Sequence, residues 1–414
     1  MIKNRFLRPL FVLAFILNFS RALTFTFFPI YLSTTLGFSP LLSGYALGGT
    51  LMIATLGGIY CGILVDRFTP LRTLLLVITT AVLTYSILPL AGQFAYVFIL
   101  LAALEISFTT MHLSIKSLLT GLLPPHQRGA AFSVNYTLIN IAFCTAPILG
   151  IAVSHQSMRM PMFVSAGLNL LSLILLIGYS HRYRSAANSL APQAASRPRV
   201  SEIFKALIGD TRLQLFTLGG FFSCLVYARF ATYLSQYLGY VANEAHAMKL
   251  ISLITGVNAI TVILLQYVIG RWITPRNMLS SVMLGSGLLV TGLLVFHLSE
   301  SYAFWIAGTI VFSLGEIFIV PSEFMFIDSI AKDSMKGAYF GVQNISMLGA
   351  GLNTVLCGLL LENHKIGPQS FFYFLMIFAA AGCLLYIVGI RQKDGTRTPP
   401  IMESQVHADD VSMS

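Results

Sequence analysis

Long apolar runs separated by short polar stretches fill the chain. The runs cover 10–32, 40–65, 71–91, 94–118, 130–153 and 160–180, then 213–238, 247–270, 278–298, 303–328, 337–361 and 370–390. Each is close to the ~20 residues that a helix needs to cross a bilayer core. The pattern predicts twelve membrane-spanning helices, numbered here as spans 1 to 12. Lys3, Arg5 and Arg8 precede the first run, which begins at Leu10. That run exceeds the ~7–15 residues of a cleaved signal peptide's apolar region, so it reads as span 1. The long polar interval 181–212 reads as a flexible basic linker, with Arg182, Arg184, Pro192, Arg197, Pro198, Arg199 and Lys205. It separates a first bundle, 1–180, from a second, 213–390. Residues 391–414 show no apolar period and read as a loose tail.

Composition narrows the class. Of 414 residues, 56% are hydrophobic and 10% charged, with a mean hydropathy of +0.80. Soluble domains carry about 25% charged residues, so a cytosolic enzyme and a disordered chain are both excluded. The formal charge of +10 needs no nucleic-acid partner, because its distribution explains it. With the N-terminus inside, 20 of the 25 Lys and Arg fall in loops and tails on that side. Only Arg159, Lys249 and Lys365 fall on the other, while Arg21 and Arg229 lie within spans. Basic residues mark the cytoplasmic side of membrane proteins, so both termini are expected there, with the lipid bilayer as the surrounding partner. The five cysteines all lie in apolar runs without metal-ligand spacing. They read as packing residues, and no cofactor or metal is expected.

The two halves repeat each other. Tyr31-Leu32-Ser33 with Leu36-Gly37 recurs as Tyr233-Leu234-Ser235 with Leu238-Gly239, a shift of 202. Arg67 and Arg72 recur as Arg271 and Arg276. Leu104-Glu105-Ile106 recurs as Gly315-Glu316-Ile317, a shift of 211. Arg128-Gly129-Ala130 with Phe132 and Val134 recurs as Lys336-Gly337-Ala338 with Phe340 and Val342. Four matches in order, each near half the chain length, indicate duplication of a six-span unit. Six is even, so the copies insert in parallel. The fold class is therefore an all-α membrane protein of two parallel six-helix repeats, an arrangement in which solute sites lie near the bilayer midplane.

Ionisable groups inside the bilayer are costly and usually face a bundle interior, where they act. Arg21, Glu105, Arg229 and Glu316 lie near the middle of spans 1, 4, 7 and 10. His112 follows Glu105 by seven residues, and Lys116 follows by four more. Glu323 follows Glu316 by seven. These spacings place each set on one helix face, as a polar ladder. A dry cavity disfavours a carboxylate's charge, whereas a neighbouring arginine favours it. Glu105, Glu316 and Glu323 are therefore candidate proton carriers. Arg21 and Arg229 are candidates to hold an acidic group of a solute, with Glu105 or Glu316 meeting an amine and His112 nearby. Fixed ion pairs that hold helices together are the other reading of these charges. Tyr31, Asn140 and Asn258 are candidate solute contacts or, equally, interhelical hydrogen-bonding groups. Asp66, Arg67 and Arg72, at a helix end after span 2, are candidates for a gate, the acid pairing with an arginine and a neighbouring helix N-terminus.

Gly62-x-x-x-Asp66-Arg67 followed by Arg72 resembles the loop 2–3 signature of the major facilitator superfamily. The glycine usual after the Asp-Arg pair is replaced near Thr69-Pro70. Ala146-Pro147-x-x-Gly150 resembles the span 5 motif of drug/proton antiporters, with alanine for its first glycine. A wider likeness is to the YdeE-type bacterial exporters of dipeptides and toxic compounds. It rests on Arg21, Phe132 to Thr137, Asn140-Ile141, Asn258-Ala259, Leu265-Gln266-Tyr267, Gly315-Glu316-Ile317, Glu323 and Ile327-Asp328. The resemblance implies a twelve-helix, proton-driven exporter of the bacterial inner membrane, with the midspan charges lining a central cavity.

The expected activity is proton-coupled export of small amphipathic solutes such as dipeptides, drugs or siderophores. Import of peptides or a related nutrient is the alternative. The partners expected are a small-molecule substrate, protons and lipid. Nothing suggests an obligate oligomer, so a monomer is expected. A membrane enzyme is disfavoured, because the loops are short and carry no catalytic constellation.

Overall fold

The computed structural model describes residues 7–123, 125–154, 156–187, 201, 208–274, 276–298, 301–331, 336–363 and 367–392. Most of the linker and the tail beyond Gln392 fall outside these residues, as do the side chains of Asp66 and Arg67.

Every apolar run becomes a helix. We number them α1 (Leu7–Thr35), α2 (Pro40–Gly44, Tyr45–Gly49 and Thr50–Phe68), α3 (Pro70–Leu90), α4 (Phe94–Leu122), α5 (Pro125–Ser154) and α6 (Met160–Ala187). The second half holds α7 (Thr211–Tyr227 and Phe230–Val241), α8 (Glu244–Gly270), α9 (Met278–Leu298), α10 (Tyr302–Ile330), α11 (Lys336–Gln343, Asn344–Met347 and Leu348–Glu362) and α12 (Ser370–Arg391). Eleven described helices are long and apolar enough to cross a membrane, or twelve with the two segments of α7 counted as one bent span.

Several spans are interrupted, which the apolar pattern does not show. α1 breaks after Phe25, restarts at Phe28–Ile30 and widens into a π-turn at Tyr31–Thr35. Pro29 suits the restart, because a first-turn residue needs no N–H donor. α7 breaks after Tyr227 and bends by 42°. The two breaks lie 202 residues apart, the repeat shift seen in the sequence. Pro321, by contrast, does not interrupt α10, which runs unbroken past Glu323.

Packing follows the same repeat. Within the first half α1 packs on α5 and α6, α3 on α4 and α6, and α2 on α4. Within the second half α7 packs on α11 and α12, α9 on α10 and α12, and α8 on α10. Each half has its own apolar core, one from Leu7 to Tyr179 and one from Leu213 to Tyr386, the latter joined by Phe27 and Ile30. Lipid offers helices no hydrophobic drive to associate, so close backbone approach at small residues matters. Between α9 and α10 a β-carbon on Gly315 would strike the Gly285 carbonyl, which draws the helix carrying Glu316 tightly onto its neighbour.

Among the described residues the halves meet along α2 and α11, along α5 and α8, and between the later segments of α1 and α7. These seams lie towards the far end, opposite the first residue of α1. At the α2–α11 seam Gly48 and Gly351 each face the other's carbonyl, leaving no room for a β-carbon. The Leu41 N–H donates to Glu362 Oε1 at 3.2 Å, and Gln236 Nε2 donates to the Pro40 carbonyl at 2.6 Å.

Candidate functional site

The break in α7 aims a cation across the molecule. Ala228 is extended (ψ 131°) and Arg229 adopts left-handed backbone angles, φ 55° and ψ 33°. That conformation costs an L-residue about 1–2 kcal/mol. It carries the guanidinium out of the second half and onto Glu105 of α4. Arg229 Nη1 donates to Glu105 Oε1 at 2.8 Å and Nη2 donates to Oε2 at 2.7 Å, a two-pronged fork. Such paired charge-assisted bonds are among the strongest in proteins.

Glu105 is held from a second side. Arg21 Nη2 of α1 donates to Oε2 at 3.1 Å and to Oε1 at 3.3 Å. The side chains are 10% (Arg21), 8% (Glu105) and 16% (Arg229) exposed. Aromatic faces enclose the cations. Arg21 Cζ lies 4.4 Å from the centre of the Phe108 ring, and Arg229 Cζ lies 4.5 Å from that of Phe25. Two cations around one anion leave a net charge of +1, which ring faces stabilise by cation–π attraction. The cluster is therefore a desolvated site with capacity for one more anionic group.

The repeat mate of Glu105 sits in different company. Glu316 accepts from Asn258 Nδ2 at 3.2 Å, and Asn258 also donates to Ser313 Oγ at 2.8 Å. Among the described residues no Lys or Arg forms an ion pair with it. The sequence explains the asymmetry. At the 202-residue shift Arg21 corresponds to Ser223, and Arg229 corresponds to Phe27. The two arginines are not mates of each other, and neither has a basic counterpart beside Glu316.

Glu323 forms a third site, about two helical turns further along the same face of α10. It is buried and accepts from Tyr227 Oη (3.3 Å), Gln343 Nε2 (3.5 Å) and Tyr386 Oη. Uncharged donors from α7, α11 and α12 thus cage an acid that forms no ion pair among the described residues. Its repeat mate at the 211-residue shift is His112, half-buried on α4. Lys116, four residues on, is exposed.

The remaining sequence candidates scatter. Asn258 joins Glu316, as above. Tyr31 is buried ten residues beyond Arg21, past the break in α1, where it faces Arg159. Asn140 is half-buried on α5, and Arg72 is exposed at the start of α3. The Asp66 and Arg67 side chains lie outside the described residues. Between these helices Thr69 has φ 69° and ψ 145°, a conformation suited to glycine. Among the described residues no group of three His, Cys, Asp or Glu side chains is placed to hold a metal ion.

A sequence model described as Major Facilitator Superfamily matches residues 10–352. The chain belongs to the major facilitator superfamily. Within it, the chain is 30% identical over 381 residues to the uncharacterized MFS-type transporter YdeE of Escherichia coli (strain K12), covering 91% of this chain and 94% of that one. It is 22% identical over 373 residues to a Na(+), Li(+), K(+)/H(+) antiporter of Planococcus maritimus, covering 83% and 86%. The crystal structure of nucleoside transporter NupG superposes with a TM-score of 0.73 at 13% identity, covering 94% of this chain and all of that one. That likeness concerns the superfamily fold. The relatives are transporters of small molecules rather than enzymes.

Ser313 and Gln343 were not among the sequence candidates, and nor were the four aromatic members of these sites: Phe25, Phe108, Tyr227 and Tyr386. Each aromatic lies in an apolar run and reads as core. A signal did exist for the tyrosines, since a buried hydroxyl in a membrane needs a partner.

Proposed function

We propose that this transporter exports small amphipathic solutes by proton-coupled alternating access in the bacterial inner membrane. The observation that carries the reading is Glu105 gripped at once by Arg21 of its own half and Arg229 of the other. An anionic group of a solute competes with Glu105 for the two guanidiniums. A proton on Glu105 removes the charge that tethers Arg229. Either event loosens the tie between the halves at mid-depth, so solute and proton act on one element. Glu316 with Asn258 offers an acceptor for an amine, and Glu323 in its uncharged cage is the second proton site.

The Lys and Arg distribution puts the near end in the cytoplasm. The far-end seams then close the outside, and the conformation is inward-facing, ready to load a cytoplasmic solute. Asp66, Arg67 and Arg72 are the proposed latch of the opposite, outward-facing state. The distant ion/proton antiporter supports proton coupling, and membership of the major facilitator superfamily supports the alternating mechanism.

The test compares culture media of deletion, wild-type and overexpressing cells by untargeted mass spectrometry. Glu105→Gln at matched membrane level is the control. A solute that rises with overexpression, falls on deletion and fails to rise with the variant supports export and names the substrate. A solute depleted from the medium by overexpression overturns the direction and favours the importer.

A further inference from the structure

A cleft of about 440 Å³ opens between α5 and α8, away from the charged cluster. That volume falls in the small-ligand range of roughly 300–1,000 Å³. Cys144 and Ile148 form one wall, and Ser252, Gly256 and Ile260 form the other. Cys144 Sγ lies 3.9 Å from the Gly256 carbonyl, where the walls touch. A β-carbon on Gly256 would meet nothing within 4 Å, so the missing side chain is part of the open volume. The lining is almost wholly apolar, with two polar features at one end. Lys249 is exposed at the mouth, with its Nζ 5.7 Å from the centre of the Tyr302 ring. One turn further in, Ser252 is 6% exposed, and its hydroxyl has no hydrogen-bond partner among the described residues.

These features fit one ligand chemistry. From Lys249 to Ile260 the groove follows eleven residues of helix, about 16 Å at 1.5 Å per residue. The bilayer core is about 30 Å thick, so the groove spans one leaflet. Lys249 lies five residues from the start of α8, at interfacial depth, where a lysine ammonium reaches headgroups. An orphaned buried hydroxyl favours a ligand that brings an acceptor. We propose that this groove binds one anionic phospholipid, with its phosphate at Lys249, an ester carbonyl accepting from Ser252 Oγ, and one acyl chain lying along Gly256 to Ile260. Because α5 and α8 belong to different halves, the lipid fills a seam that the halves share.

The full-length chain in detergent is examined by native mass spectrometry with added palmitoyl-oleoyl phosphatidylglycerol or the matching phosphatidylcholine. The expected result is one phosphatidylglycerol retained in preference to phosphatidylcholine. Gly256→Leu, which fills the groove, loses that single-lipid adduct. Lys249→Gln, on the exposed mouth, abolishes the preference between the two lipids. In the unmodified chain, phosphatidylglycerol slows maleimide alkylation of Cys144. Equal retention by Gly256→Leu, an unchanged preference in Lys249→Gln, or alkylation of Cys144 indifferent to lipid would each overturn the proposal. So would equal protection of Cys144 by phosphatidylcholine, which would reduce the groove to a generic apolar cleft.

Discussion

At the scale of single residues, Glu105 is held by partners that differ in origin. Arg21 approaches along a regular helix, whereas Arg229 reaches it from strained backbone. Removing one member of a buried charge cluster leaves the others uncompensated, at a cost of about 3–5 kcal/mol. Glu105→Gln should therefore lower the unfolding midpoint in detergent, because two guanidiniums then face each other without their anion. Adding Arg229→Gln should recover part of that loss. An unchanged midpoint in the single variant would show that the cluster contributes nothing to stability. Arg229→Lys tests geometry rather than charge, since an ammonium cannot reproduce the fork. It should abolish solute movement while the chain still inserts and folds. Glu323→Gln keeps an acceptor oxygen for one of Tyr227 and Tyr386 but removes the proton-binding group. It should leave the unfolding free energy within about 1 kcal/mol of the parent, the net value of one hydrogen bond, and uncouple transport from a pH gradient. The sequence singled out all three acids and both arginines, because charge in an apolar run stands out. Asn258, the partner of Glu316, was also named, but the aromatic partners did not stand out, since a tyrosine or phenylalanine in such a run looks like any other core residue.

At the scale of elements, hydropathy located all twelve helices, although α5 starts five residues before and α6 ends seven residues after its expected span, and it did not show where they break. The break in α1 has Pro29 beside it, whereas that in α7 falls at Ala228-Arg229, with no proline or glycine to mark it. The conformation there is set by tertiary contacts, the guanidinium being anchored on the other half. Thr69 presents the reverse case. The departure from the usual glycine was visible in the sequence, and the structure shows its consequence in a β-branched residue at φ 69°. Such a conformation costs about 1–3 kcal/mol. Thr69→Gly should raise the unfolding midpoint even though glycine costs the folded chain about 0.5–1 kcal/mol in entropy. A fall would mean that the turn is unstrained and the threonine favourable.

At the scale of the whole molecule, the duplicated sequence becomes a duplicated packing pattern, yet the chemistry is asymmetric. The first half carries Arg21 with Glu105, while the second carries Ser223 with Glu316, and His112 stands opposite Glu323. That asymmetry was present in the repeat shifts, and its meaning required the helices to be in place. The direction of opening was not legible, because hydropathy is the same in every state of such a machine. The far-end seam makes a separate prediction. Gly351→Val should hold α2 and α11 apart at Gly48, weaken closure of that end and raise the labelling of a cysteine placed at Ser43. Labelling as slow as in the parent chain would show that the seam tolerates a side chain.

The most direct test of proton coupling uses the full-length chain in proteoliposomes that enclose a pH-sensitive dye, with the solute identified from the culture media. Solute movement should drive protons the opposite way, and Glu105→Gln and Glu323→Gln should each abolish that flux. Solute movement without proton movement, or proton flux unchanged in both variants, would contradict it.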